Sequence, residues 1–136
     1  MKKVVLLLII TSLTLMAQPY TKIDRINDMN QMANAMNIIQ SGFFYNNYST
    51  VEAGVEKLVE AVRRVKPPVE EIEEQDLMSR YMNQKIQMSN KIVKKISKKS
   101  LDILQRFKSG DSVQAVQAYT KIMGQCIKCH RETRNW

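Results

Sequence analysis

The chain has 136 residues, with 21 Lys and Arg against 13 Asp and Glu, a formal net charge of +8. That length suits one domain around one core, and there is no internal repeat or low-complexity tract to suggest a second. A basic balance invites a nucleic-acid reading, but no aromatic-basic groove pattern accompanies it, so that class is excluded.

The amino-terminal stretch MKKVVLLLIITSLTLMAQ opens with Lys2 and Lys3, continues through an apolar run and reaches a small residue at Ala17. This is the layout of a secretory signal peptide. Residues 1–17 are therefore expected to be cleaved, leaving residues 18–136 as a single domain. The apolar run is interrupted by Thr11 and Ser12. It falls short of the ~20 residues that a spanning helix needs, so no membrane span is expected after cleavage. The remaining chain carries a net charge of about +6.

Apolar residues then recur at spacings of three and four almost throughout, which predicts helices. The first helix is expected from Tyr20 to Tyr45, with Ile23, Ile26, Met29, Met32 or Ala33, Met36, Ile39 and Phe43 buried. Asn27, Asn30, Asn34 and Asn37 take its opposite side. Ser49-Thr50-Val51-Glu52 reads as a capping box that starts a second helix carrying Val55, Leu58, Val59, Val62 and Val65. Pro67-Pro68 stops it.

The acids Glu70, Glu71, Glu73, Glu74 and Asp76 suit the positive end of a third helix, which runs to about Lys108. Its inner side is expected to hold Met78, Tyr81 or Met82, Lys85, Met88 or Ser89, Ile92, Ile96, Ile103 and Phe107. The lysines between Lys91 and Lys99 read as a solvated face, with an electrostatic docking patch for an acidic redox partner as the functional alternative. Ser109-Gly110-Asp111 combines a glycine stop with an aspartate start. The fourth helix is expected from Ser112 to Arg134, burying Val113, Val116, Tyr119, Ile122 and Met123. Short connections between such helices predict an all-α, antiparallel up-down four-helix bundle.

On the fourth helix stands Cys126-Ile127-Lys128-Cys129-His130. A C-x-x-C-H run is the attachment signature of c-type haem, with two thiols for thioethers and an imidazole for the iron. The competing readings are weaker. Zinc commonly takes four Cys or His ligands, and the chain has two Cys and one His. A thioredoxin-like motif needs a βαβ context, and strand signals are scarce. At i, i+3 and i+4 the three side chains share one helix face, so one helix can carry one covalently attached haem c. The tail Arg131 to Trp136 holds no Met, His or Cys. Any sixth iron ligand must therefore come from upstream, where Met29, Met32 and Met36 are candidates that also suit core filling.

Taken together, the chain resembles the class II cytochromes c, the cytochrome c-prime family. The likeness covers nearly the whole domain: Gly110-Asp111, Tyr119, the CIKCH run and Arg134 at the carboxyl end, Arg25 with Met29 four positions later at the other. The resemblance implies His130 and Met29 as axial iron ligands and Arg25 as a partner of a haem propionate. Methionine opposite histidine is also the usual pairing on electron-transfer haem and raises its potential.

The expected function is thus a periplasmic electron carrier that meets redox partner proteins and is not an enzyme. The alternative is a five-coordinate, high-spin protein that binds NO or CO. A thiol-disulfide enzyme built on Cys126 and Cys129 is a third possibility, and would be colourless. The resemblance also implies that a homodimer can form through the first two helices. The short stretch between the second and third helices, with its proline pair, departs from the family pattern.

Overall fold

The computed structural model describes residues 20–66 and 76–134, without the side chains of residues 76–80, 82, 133 and 134. The expected signal segment, the Pro67-Pro68 stop, the acids Glu70 to Glu74 and Trp136 lie outside the described residues. The same holds for the side chains of Met78, Met82 and Arg134. Four helices follow one another: α1 Lys22–Phe44, α2 Tyr48–Arg64, α3 Asp76–Lys108 and α4 Ser112–Arg134. Among the described residues there is no strand, and no helix is long and apolar enough to cross a membrane.

Local chemistry sets the helix ends. Thr21 and Asp24 form a reciprocal capping box at the start of α1, the Thr21 amide donating to the Asp24 carboxylate at 2.8 Å. Between α1 and α2 the chain reverses through Asn46, whose φ of 47° lies in the left-handed region that asparagine tolerates better than most residues. Asn47 then caps α2, its side-chain oxygen accepting from the Thr50 amide at 3.1 Å. The expected box at Ser49 is therefore displaced by two residues. Asn47 lies before the helix and offers an acceptor to an otherwise unpaired first-turn amide, whereas Ser49 is already helical. After α3 the chain turns through Gly110, φ 81°. Asp111 caps α4 by accepting from the Gln114 amide at 3.2 Å, as its position predicts.

The sequential pairs α1–α2, α2–α3 and α3–α4 pack against each other. The closest approach is between α1 and α2, where glycine is required. A Cβ at Gly42 would come within 2.6 Å of a Val51 methyl, and one at Gly54 within 2.7 Å of Ile39 and 2.9 Å of its backbone nitrogen. The core contains Met32, Ala35, Met36 and Ile39 of α1, and Val51, Val55, Leu58, Ala61 and Val62 of α2. Facing them are Ile92, Ile96, Ile103 and Phe107 of α3 and Ala115, Ala118 and Ile122 of α4.

Two buried stripes differ from expectation. On α1, Ile23 is 70% exposed and Ile26 43% exposed, while Arg25 and Asp28 are buried in their place. The first turns of α1 meet α2 through an ion-pair network, described below, and the isoleucines turn outward. On α4, Val113, Val116 and Met123 are exposed and Ala115 and Ala118 are buried. Two alanines let α4 approach its neighbours more closely than two valines would. On α3, Tyr81 is also exposed, and Ser100 is fully buried where no inward position was expected.

The glycine contacts give a direct test. Gly54→Ala gains helix propensity, yet overpacking at a backbone this close should lower the unfolding free energy by about 1–3 kcal/mol. Chemical denaturation measures it, and an unchanged or higher stability would contradict the close approach of α1 and α2.

Candidate functional site

α1 and α4 run antiparallel, and their contact is uneven along its length. Near the end of α1, the Tyr119 hydroxyl of α4 donates to the Met36 carbonyl at 3.3 Å. The Phe43 ring lies 5.7 Å from the Tyr119 ring, edge-on, and 5.3 Å from Phe107. These aromatics close that end of the seam. Toward the start of α1 and the end of α4 the bundle holds a half-open cavity of about 440 Å³, within the usual range for a small-molecule site.

All four helices contribute to its wall. α1 supplies Met29, Met32 and Met36, α2 Val62 with Val65 just past its end, α3 Ile92 and Ile96, and α4 Met123, Cys126, Cys129 and His130. The sequence-predicted residues Cys126, Cys129, His130 and Met29 thus border one space. Helix register explains the meeting. Tyr119 is level with the stretch from Met36 to Phe43, and His130 lies eleven residues further along α4. At about 1.5 Å per residue, the same length back along antiparallel α1 reaches residues 25–32, a stretch that contains Met29.

The three methionines do not share one environment. Met32 and Met36 are buried members of the core, whereas Met29 is only partly buried and packs against its edge. Arg25 is not among the residues that line the cavity; it is buried one turn before Met29, 6% exposed.

Next to Met29, Asp28 is also buried and accepts hydrogen bonds from two elements. Arg64 Nε of α2 donates to it at 2.8 Å, and the Tyr20 hydroxyl does so at 3.0 Å. Arg64 also donates to Glu60 and Gln31. Successive helical residues are turned about 100° apart. Asp28 held toward α2 therefore turns Met29 toward α4. Apolar spacing carries no trace of this network, since it joins a buried carboxylate to a half-buried arginine 36 positions away.

The cysteines form no disulfide. Burial pushes the Cys126 thiol up, and the neighbouring Cys129 adds to the effect. Both lie in the second half of α4. Thiols activated for exchange usually have lowered values, often at a helix amino terminus where the dipole favours thiolate. Among the described residues, no group of three or more His, Cys, Asp or Glu is arranged to hold a bare metal ion.

No family model matches the chain, and neither the curated proteins nor the solved structures give a match.

The Asp28 network predicts an alkaline transition. Burial, then the hydrogen bond to Asp28, pushes the Tyr20 phenol from 10.0 up to about 12. The folded state holds that proton more tightly than the unfolded chain. Its contribution to stability is complete below pH 10 and is lost as pH rises toward 12. Unfolding free energies of the parent protein and of Tyr20→Phe should differ by a constant amount below pH 10, and the parent's advantage should shrink above it. Parallel curves through pH 12 would rule the contact out.

Proposed function

We propose that this protein is a monohaem c-type cytochrome that carries electrons, with one haem c held through Cys126 and Cys129. His130 and Met29 would hold its iron. One observation carries the reading: the attachment motif and a facing methionine border a single, mostly apolar cavity inside a helical bundle. Support also comes from the chemistry of the donor set. Two thiols and an imidazole on one helix face, opening on an apolar space, are what a covalently held haem requires.

Haem c, when bound, supplies the iron that takes up and gives up one electron. The chain's own residues do the rest. Cys126 and Cys129 fix the group to α4, so that it cannot exchange. His130 offers a ring nitrogen and Met29 a thioether, a pairing that favours the reduced state and raises the potential. The aliphatic wall from α2 and α3 excludes water and lowers the local dielectric, which also disfavours the more charged oxidised state. Arg25 is proposed as the cation that meets a haem carboxylate, since a guanidinium pairs with such a group bidentately.

On this reading residues 1–17 export the chain to the periplasm, where haem is attached, and the cytochrome belongs with the class II cytochromes c that it resembles. The raised Cys126 thiol and its place in the second half of α4 count against a thiol-disulfide enzyme. Met29 sets the balance between electron transfer and gas binding. Met29 lines the cavity from the edge of the core, whereas Met32 and Met36 are also buried core members.

The test is the visible spectrum of the exported protein, oxidised and reduced, with and without CO. A low-spin ferrous spectrum with split bands, a far-red ferric band from methionine ligation and no response to CO are expected. A colourless protein would end the haem reading. A broad high-spin spectrum that shifts with CO would make it a five-coordinate gas binder. Met29→Leu should turn low-spin ferric iron high-spin; if it stays low-spin, Met29 is not the ligand.

A further inference from the structure

The outer side of α4 carries features that the fold does not require. Gly124 sits mid-helix, where glycine is among the poorest choices. It is exposed, and a Cβ there would meet nothing within 4 Å. Gly42 and Gly54 are demanded by helix packing; Gly124 has no such internal reason. A bare backbone at the surface lets another molecule come close.

Two stripes run beside it. One is apolar: Val116, Met123 and Ile127 are between 44% and 52% exposed. Met123 and Ile127 also line the cavity, so this stripe is where the cavity wall and the protein surface coincide. The other is basic: Lys121, Lys128 and Arg131 recur at spacings of seven and three and are all exposed. None of the three appears in a salt bridge among the described residues. Glu132 is the lone acid among the described side chains of α4.

The geometry points to the outer face of α4 as the docking surface for an acidic protein partner. That partner would present an apolar patch edged by Asp and Glu, and would bring its own redox centre against the Met123–Ile127 wall. Charge decides between possible occupants. A second copy would set Lys121, Lys128 and Arg131 against the same positive stripe, whereas carboxylates complement it. The lysines between Lys91 and Lys99 add positive charge on α3, but none of them lines the cavity. They steer approach at long range; α4 makes the contact. This inference rests on the electron-carrier reading for its purpose, though the surface itself can be tested without it.

The experiment is amide chemical-shift mapping of the mature, isotope-labelled protein, titrated with a small acidic blue-copper protein. A basic blue-copper protein of similar size serves as control. Shifts should centre on residues 113–131 with the acidic probe, weaken with added salt and be absent with the basic one. The triple variant Lys121→Glu, Lys128→Glu, Arg131→Glu should weaken binding about tenfold or more. Gly124→Leu should weaken it while leaving the thermal midpoint equal or higher. Gly124→Ala, with only a methyl added, reports whether the helix itself tolerates a side chain there.

Shifts centred on Lys91 to Lys99 or on α1 and α2 would overturn the proposal, as would equal binding of the basic probe or no binding at all. Self-association through α4, seen as concentration-dependent shifts without a probe, would assign the face to a second copy instead. Haem content is read separately from the visible spectrum. A protein with haem but no α4 footprint refutes the docking surface alone, and a colourless protein with that footprint refutes the cytochrome alone.

Discussion

A buried carboxylate ties the first turns of α1 to α2. Asp28 is held by Arg64 from α2 and by the Tyr20 hydroxyl, and a buried charge tolerates little displacement from its partners. That fixes which side of α1 meets α2. The side turned about 100° away, with Met29 and Met36, is left to face α4 and the cavity. Between these two helices the aromatic trio Phe43, Phe107 and Tyr119 closes one end. The space therefore lies at the other end, where the cysteines and histidine of α4 are. Polar pairing on one face of α1 and aromatic packing at its end together locate a mostly apolar site.

Much of this was legible in the sequence. The bounds of α4, the Gly110-Asp111 junction and the end of α3 follow from local turn chemistry, which needs no knowledge of neighbours. The buried stripe of α2 was legible in part: Val55, Leu58 and Val62 are core residues, while Val59 and Val65 are only partly buried against it. The C-x-x-C-H run was legible because it occupies five consecutive residues.

What was not legible depends on partners distant in sequence. Asp28 looks like a surface residue until Arg64 is brought across from α2. Ala115 and Ala118 look weaker than Val113 and Val116 as core candidates. The preference reverses only because a closely packed helix needs small side chains, a demand set by its neighbours. The same holds for Gly42 and Gly54, whose need appears only when Val51 and Ile39 lie against them. For the site, the four bordering residues were named from the chain, but the size of the space between them, and the difference between Met29 and its two core neighbours, required the packed bundle.

The short turns have a consequence for how the molecule assembles. Residues 45–47 join α1 to α2, and residues 109–111 join α3 to α4, so each half is a local hairpin whose contacts lie near in sequence. Such contacts form quickly, and pairing of sequence-distant elements comes at a greater entropic cost. The cavity is walled by both halves, with Met29 and Val62 from one and Ile92 and His130 from the other. It exists only after the hairpins have docked, so the cavity is a late product of folding. A group tethered to α4 would give the second hairpin an apolar surface on which the first can condense.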